Sequence, residues 1–541
     1  MLGSHTYTIV ELDVHQRISG EVELVTYRFC PSGTQPPVGT PALPILTHHS
    51  VQPAHLAVSR GLGVRERVRL RFADFEDDGD VLGGDPAHPV SFWRLFRARI
   101  PFLSGRALRI IEGTFEGGVF TAVTTYHYIV RKIEGPQGTG EVQIEAEDLT
   151  GTLAQGSAQC PMPSRVELMS DITDASIGAL VTFNSDLADW PPSGWLRIGD
   201  EAIKYAVSEV PGEYLFLSFV QRGTLGTIAE AHSTGDAIQP ITYWDQKRLC
   251  DILYDLLVTY AGIPAAQIPF DAWEALDDEH LVFRLTTVIW SPTDVEELVS
   301  DLLRIFPLVI WYDPAGPAWG FLPFDQVAIS SHSAPVVTDL NGLVADSLSM
   351  REDPDAAWTR LFIYHGMLSW DEDASRPQAY SVARLFINVD AEGILQRNRA
   401  VVHNMLVRWL LAGDSASVDR IGQMQERQGS RDRRTITMTL PVVDWLRLGA
   451  IFVLRSKAFV DANGAIDDML LLVTSYRHNE GRATAEVECI DLRFDGNYRL
   501  WAPDDLPVYD QAPDSIKRKY LYLSSDDDML GTVNDPAHTW L

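Results

Sequence analysis

The sequence predicts a multidomain, β-rich α+β protein, and three observations carry that expectation. Most of the chain alternates apolar and polar residues over short runs broken by Gly and Pro, the period-2 habit of half-buried strands. Helical spacing appears only in the stretch from about residue 245 to 428. At 541 residues the chain is also too long for a single core and should divide into several domains of ordinary size. Its 45% hydrophobic and 10% aromatic content is that of a folded chain.

The first 165 residues read as strands. Thr6 to Val14 and Val22 to Phe29 alternate, and a Pro/Gly-rich loop from Pro31 to Pro44 follows them. Val64 to Phe72, VRERVRLRF, sets arginines against apolar residues as a half-buried strand does. Phe92 to Ile100 and Ala107 to Ile111 show the same habit. Tyr126 to Ile133 and Glu141 to Leu149 read as a hairpin around Gly135-Pro136-Gln137-Gly138. The arginines at 65, 67, 69, 71, 94, 97 and 99 lie largely on alternate positions. They make either a basic face that meets an acidic neighbour or, more plainly, a solvated strand face.

Residues 166–240 form short β runs between loop-like boundaries, Pro161-Met162-Pro163 before and Pro240 after. They read as a small β module inserted in the chain and folding by itself, lying peripheral to the rest. Helical spacing begins beyond it. Asp245 to Gly262 places Leu249, Ile252, Leu253, Leu256, Leu257 and Tyr260 on one face, with Gly262 and Pro264 as stop signals. Ser291 is placed to cap a second helix with Pro292 at its first position and Val295, Leu298, Val299, Leu302 and Leu303 inward. Two strands, Leu308 to Tyr312 and Trp319 to Pro323, flank the turn Asp313-Pro314-Ala315-Gly316. A third helix is expected over Asn398 to Leu411, continued by Ser415 to Gln428. Strands return at Thr435 to Leu440, Ile451 to Leu454, Leu470 to Tyr476 and Thr484 to Leu492. The last forty residues mix Pro, Asp and Tyr without period and read as an arm or docked tail.

A formal net charge of −30 argues against binding nucleic acid through its phosphates. The four cysteines, Cys30, Cys160, Cys250 and Cys489, are far apart and form no CxxC pair, which implies a reducing compartment rather than a disulfide framework. MLGSHTYTIVELDV lacks the basic and apolar regions of a signal peptide, and no apolar run approaches the length of a membrane helix. Synthesis and folding in the cytoplasm are therefore expected, with no transmembrane segment.

Candidate chemistry is sparse. Asp74, Glu76, Asp78 and Asp85 are a loose echo of a calcium loop, but the flanks read as β and the twelfth position is Asp rather than a bidentate Glu. A solvated acidic turn accounts for them better, and no metal site is assigned. His48, His49 and His55 lack spaced carboxylate or cysteine partners. No GxSxG elbow, P-loop, HExxH or dinucleotide fingerprint is present, so no catalytic or cofactor-binding residue is named and no enzyme is expected.

One motif stands out. The strand SGWLRIGDEAIKY leads through YLFLSFVQ to Arg222-Gly223-Thr224-Leu225-Gly226-Thr227, with His232 and Gly235 following. It resembles a small β module of phage tail proteins. Further segments, in order, resemble the central hub, or tail-tip, proteins of long non-contractile phage tails and gene-transfer agents. They are the arginine-rich strand running into ADFEDDGD, the hairpin ending IEAEDLTGTL, SPTDVEELVSDLLRIFPLVIWYD with WGFLPFD, and DRRTITMTLPVVDWLRLGAIFVL with DDMLLLVTSYRHNEGRATAEVECIDLRF. The resemblance spans roughly residues 60 to 495, and its weight lies in the order of the segments.

It implies β-barrel or sandwich domains with a helical, α+β domain between them. The division becomes 1–165, an N-terminal barrel-like hub domain; 166–240, the inserted module; 241–375, an α+β domain; 376–500, a helix and second barrel-like domain; and 501–541, a C-terminal extension. It implies a structural virion protein at the tail tip that closes or extends the tail tube and organises the baseplate. The expected assembly is a homotrimer. Expected partners are the distal tail or tube ring, tip and fibre proteins and the tape measure, with DNA passing through the channel without sequence-specific binding. Some tail-tip proteins carry an iron–sulfur cluster on four cysteines, which here would require the four to converge. The alternative is a receptor- or glycan-binding, or cell-wall-degrading, tail protein, which should display tryptophans on loops beside an acidic cleft.

Overall fold

The computed structural model describes residues 6–18, 21–77, 81–83, 90–116, 119–136, 140–182, 191–209, 215–324, 334–353, 357–388, 392, 400–429, 433–460, 464–478 and 484–492, with a few short strands beyond 500. The expected C-terminal arm therefore lies almost wholly outside the described residues. The architecture is β-rich and multidomain, as the sequence predicts.

The N-terminal strands close into a barrel. They are β1 (Thr6–Ile18), β2 (Glu21–Pro31), β3 (Leu43–Gln52), β4 (Arg67–Ala73), β5 (Ala107–Glu116), β6 (Val119–Glu134) and β7 (Glu141–Glu147). The closed order is β1-β2-β3-β4-β7-β6-β5, and all neighbours are antiparallel except β2 and β3. Alternation decides which face is inside: Val68, Leu70 and Phe72 are fully buried, while Arg67, Arg69 and Arg71 face outward. Val10, Leu12 and Val14 join the same core from β1. The strand expected from Val64 begins only at Arg67, because Val64 is held in an exchange of backbone hydrogen bonds with His55.

The segment expected as a strand over Phe92–Ile100 is instead a helix, α1 (Phe92–Arg99). Phe92, Trp93, Phe96 and Ile100 are buried, a helical rather than period-2 set. Ser91 caps the helix by accepting the Arg94 amide, and Asp74 accepts the Ser91 hydroxyl and the Trp93 amide. The helix packs into the barrel core, with Trp93 against Phe29 and Phe72. Arg94, Arg97 and Arg99 stay outward, and their spacing among apolar residues mimics a strand.

The module contributes β8 (Val166–Glu167), β9 (Gly178–Val181), β10 (Ser193–Ile198), β11 (Glu201–Glu209), β12 (Leu215–Gln221) and β13 (Ala237–Lys247). They form one sheet in the order β8-β13-β10-β11-β12-β9 around a core of their own. β13 runs through Pro240 without a break. Its second half pairs with β14 (Leu285–Ile289), so the module's sheet is continuous with the next unit.

That unit is a helical core. α2 (Leu249–Asp255) continues through a π turn, Leu256–Tyr260. It starts later than Asp245 because Lys247 is still paired with Leu285. α3 (Phe270–Leu276) is followed by β14 and then α4 (Val295–Ile305). The N-cap of α4 is Asp294 rather than Ser291, since Thr293 and Asp294 first pair with Cys160 and Gln159. The five residues predicted inward on α4 are all buried.

β15 (Leu308–Asp313) and β16 (Ala318–Pro323) form the expected hairpin. It is buried on both faces: Leu308, Ile310 and Tyr312 belong to the helical core, Val309 to a second cluster under the C-terminal sheet. This explains its unbroken apolar run. Gly320 pairs with Trp311, and a Cβ there would lie 2.3 Å from the indole.

The remaining elements are β17 (Val336–Thr338), β18 (Ser349–Asp353), β19 (Arg360–Met367), β20 (Tyr380–Ile387), β21 (Val402–Val407), α5 (Ser415–Gly429), β22 (Arg433–Pro441), β23 (Ile451–Val460), β24 (Ile466–His478) and β25 (Thr484–Asp491). The helix expected over Asn398–Leu411 is not formed among the described residues of that span: Val402 to Val407 is a strand parallel to β19. Its residues have helical spacing, but Met405 and Val407 alone are well buried, a period-2 pair. The helix over Ser415–Gln428 is present. A six-stranded sheet, β17-β23-β24-β25-β22-β18, carries the four late strands the sequence predicts.

Candidate functional site

The glycine-rich motif of the module is built around one buried carboxylate. Glu201 opens β11 and is fully buried. Its Oε1 accepts Arg222 Nε (2.6 Å) and the Gly223 amide (3.0 Å). Its Oε2 accepts Arg222 Nη2 (2.7 Å), His232 Nε2 (2.8 Å) and the Glu230 amide (3.2 Å). Burial opposes ionisation of Glu201, yet hydrogen bonds from Arg222, His232 and the two amides outweigh it and hold the carboxyl below the usual range. Arg222 donates onward to the carbonyls of Thr173 and Glu230 and lies over the Phe219 ring. The bidentate fork explains why arginine occupies this position.

The rest of the motif closes a loop over this pair. Gly223 sits at φ +58, where an added Cβ would lie 2.7 Å from the Ala229 nitrogen. Thr224 donates its amide and hydroxyl to the Ala202 carbonyl, and Thr227 Oγ1 accepts the Ala202 amide. Leu225 is thereby forced to φ +54 and presents its carbonyl outward. That carbonyl accepts Trp370 Nε1 (3.2 Å) from the body of the protein. Beside it, Arg197 Nε donates to the Trp290 carbonyl (3.1 Å) and its guanidinium lies near the Trp290 ring. Leu225, Trp290, Trp370 and Tyr243 share one apolar cluster. The motif's geometry thus serves a docking contact between module and body.

A second contact joins the two β bodies. Leu56 donates its amide to the Thr474 carbonyl (2.8 Å), and His55 Nε2 lies 3.1 Å from Glu488 Oε1. Arg433 Nη1 donates to the Val58 carbonyl (2.7 Å), and Arg60 pairs with Asp353 (2.6 Å). Burial, with the like charge of Arg60, lowers Arg433 to about 10 against the pull of Asp353. Leu56, Val58, Leu472, Ile490 and Leu492 pack together beneath these bonds. The segment between β3 and β4 therefore clamps the barrel to the C-terminal sheet.

The residues singled out for other chemistry fall elsewhere. Asp74 is engaged by the start of α1, and Glu76 is exposed on a two-residue strand paired with Val90–Ser91. Asp78 and Asp85 lie outside the described residues. Asp77, between them in sequence, is buried and accepts the amides of Val81 and Leu82. Each of the four cysteines is reduced and buried. Cys30 is on barrel strand β2, clustered with Tyr7 and Ile9, Cys160 and Cys250 are in the helical core and Cys489 is in the C-terminal sheet, so the four do not converge. The outward arginines of β4 pair with β7: Arg69 with Glu145 (3.1 Å) and Arg67 with Glu147 (3.9 Å), while Arg65 meets Glu296 of α4. His48 and His49 are neighbours on β3, and His55 belongs to the clamp. The described tryptophans from Trp93 to Trp445 are buried or half-buried. Glu201, Arg222 and His232 all belong to the glycine-rich motif, and their conjunction with Gly223 is the one sign in the sequence that they meet.

No protein-family profile matches the sequence, and no curated protein matches it. Among solved structures the chain is similar to a 43 kDa tail protein of prophage MuSo2 from Shewanella oneidensis, at 10% identity and a TM-score of 0.39, covering 91% of this chain and 99% of that one. It is similar to a prophage tail protein from Listeria monocytogenes EGD-e, at 9% identity and TM-score 0.37, covering 91% and 95%. A tail protein from Neisseria meningitidis MC58 aligns at 10% identity and TM-score 0.34, covering 90% and 97%.

Proposed function

We propose that this chain is a structural virion protein, the central hub of a phage tail tip that closes or extends the tail tube and organises the baseplate for DNA delivery. The observation that carries the reading is the clamp. A closed barrel and a six-stranded sheet are joined by one hydrogen-bonded segment, Ala54 to Val64, anchored by buried Leu56 and Val58, and its Leu62 amide donates to Ser300 of α4 in the helical core. A tube wall needs strand-rich bodies held in a fixed relation, and this joint supplies it. The sequence resemblance supplies the order of parts, and the module's docked loop gives the glycine-rich motif a mechanical role. A ring of three copies follows from the same resemblance and from the closed symmetry a tube requires. The tryptophans between Trp93 and Trp445 among the described residues serve cores and docking contacts, which weighs against a glycan-binding surface built on those rings.

The reading is tested by labelling the protein in purified particles and imaging them by negative stain. Label confined to the tail tip supports it. Label on lateral fibres, on the head or absent from particles refutes it.

A further inference from the structure

We infer that one end of the barrel, the tip of the β1–β2 hairpin with the loop after α1, docks on the acidic cleft beside Trp370 of a second copy of the chain. Such a contact is the joint that the ring proposed above requires, and it rests on that reading. The hairpin runs past the barrel rim: Glu21, Val22, Glu23 and Leu24 are all exposed, so both faces of its tip are solvated. Strand pairing sets Val22 opposite Arg17 and Leu24 opposite His15 on one face, with Glu21 and Glu23 on the other. Arg106, at the foot of β5, donates to His15 Nδ1 (2.5 Å) and to the Phe102 carbonyl (3.3 Å), which ties the loop after α1 to that hairpin. Val22 and Leu24 are each 61% exposed and Phe102 is 78% exposed.

The charge at this end is also unmatched. Farther along the same strands the charges are paired, Glu11 with Arg28 and Arg109 and Asp13 with Arg109. Neither Arg17 nor Arg106 has a carboxylate partner among the described residues. Three large apolar side chains therefore stand in water beside two unneutralised guanidiniums. Two such ends repel each other, which rules out a two-fold contact of this patch with itself. The complementary surface is acidic, and a molecule of net charge −30 offers one on every further copy of itself. An anionic membrane has the same sign of charge, but the rest of so acidic a chain is repelled by it.

The cleft between the end of β14 and the turn after β19 has the matching chemistry and encloses about 440 Å³. Five carboxylates, Asp294, Glu297, Asp371, Glu372 and Asp373, line it against one cation, Arg408, which Glu297 (3.6 Å) shares with Asp301 (3.5 Å). Glu372 makes no hydrogen bond or ion pair with another described residue, and Asp371 accepts the Ser369 hydroxyl. Trp290 and Trp370, already packed against the module, supply apolar wall with Met367. Docking gives Arg17 and Arg106 the carboxylates they lack and takes Val22, Leu24 and Phe102 out of water. Because its two halves differ, the contact is head-to-tail and can close a ring.

Sedimentation velocity on the full chain tests this. At ~100 µM, where micromolar contacts are populated, the parent chain should associate at about 0.05 M salt and at least tenfold more weakly at about 0.5 M. Arg17→Glu with Phe102→Ser, and separately Asp371→Lys with Glu372→Lys, change exposed side chains and should each leave a monomer with an unchanged melting temperature. Mixed in equal amounts the two variants should form a heterodimer, because each keeps the half that the other has lost. A second readout does without them: Phe102→Cys mixed with Glu372→Cys should cross-link through a short bis-maleimide, and neither alone should, since the native cysteines are buried. A parent that stays monomeric, association indifferent to salt, a mixture that fails to complement, or no cross-link in the mixed cysteine pair would overturn the inference. Capture on phosphatidylglycerol vesicles without self-association would overturn it too. Label at the tail tip without self-association would overturn this contact alone, whereas complementation with label elsewhere would overturn the hub reading and leave the contact standing.

Discussion

Glu201 carries five hydrogen bonds on two oxygens while fully buried. A carboxylate in that setting stabilises only with its partners in place, and removing one partner strands the other. Glu201→Ala leaves Arg222 buried without its counter-charge and should cost about 3–5 kcal/mol in the module's unfolding. The double variant with Arg222→Met should cost less than the sum of the single changes, read by denaturant titration. Simple additivity would mean that the two residues act separately. Glu66 makes the opposite case. Burial, helped by Asp148 and Asp313, pushes its carboxyl up to about 7 although the Tyr128 hydroxyl donates to it. An unfolded Glu titrates near ~4.3, so between the two values the folded state keeps a proton that the unfolded state has lost. Glu66 therefore lowers stability as pH rises through that window and has no further effect above it. Glu66→Gln, always neutral, should gain on the parent protein from pH 5 to pH 7.5, by up to about 3 kcal/mol. A gap that does not change with pH would place the raised carboxyl elsewhere.

At the scale of elements, strands were legible where one face is buried and the other solvated. β1, β4, β22 and β25 follow alternation almost residue by residue. α1 was illegible because Arg94, Arg97 and Arg99 interrupt its apolar residues at nearly period-2 spacing; the local signal was Ser91 and Asp74, two capping groups just upstream. β21 was illegible for the converse reason, since its apolar residues fit a helix and only the parallel pairing to β19 selects a strand. The clamp could not be read at all, because its residues are separated by hundreds of positions and meet only through tertiary packing. The module is the element whose independence can be tested. We expect deletion of Val166–Gln239, closed by a short glycine linker, to leave a soluble remainder. Lys247 and Thr242 to Trp244 would still pair with β14, and the helical core shares no buried residue with the module's own core. Circular dichroism and a single cooperative melt would show this. A remainder that is insoluble or already unfolded before heating would show that β13 makes the two units one.

For the whole molecule the governing quantity is the charge of −30. An acidic channel wall leaves passing DNA with its own counterions, whereas a basic wall would hold phosphates and slow exit. The arginines of β4 fit this only if they face a neighbouring copy or outer solvent. Arg67 and Arg69 do lie on the outside of the barrel, 44% and 67% exposed, paired to glutamates of β7. The proposed ring would then place other faces of the two β bodies toward the lumen. The most direct measurement is a cryo-electron microscopy map of the intact tail tip into which the chain is fitted. The account predicts three copies in a closed ring around the channel, with more Asp and Glu than Lys and Arg on the channel wall and Arg67, Arg69 and Arg71 outside it. One copy per tail, two-fold packing, or a net-positive wall formed by those arginines would contradict it.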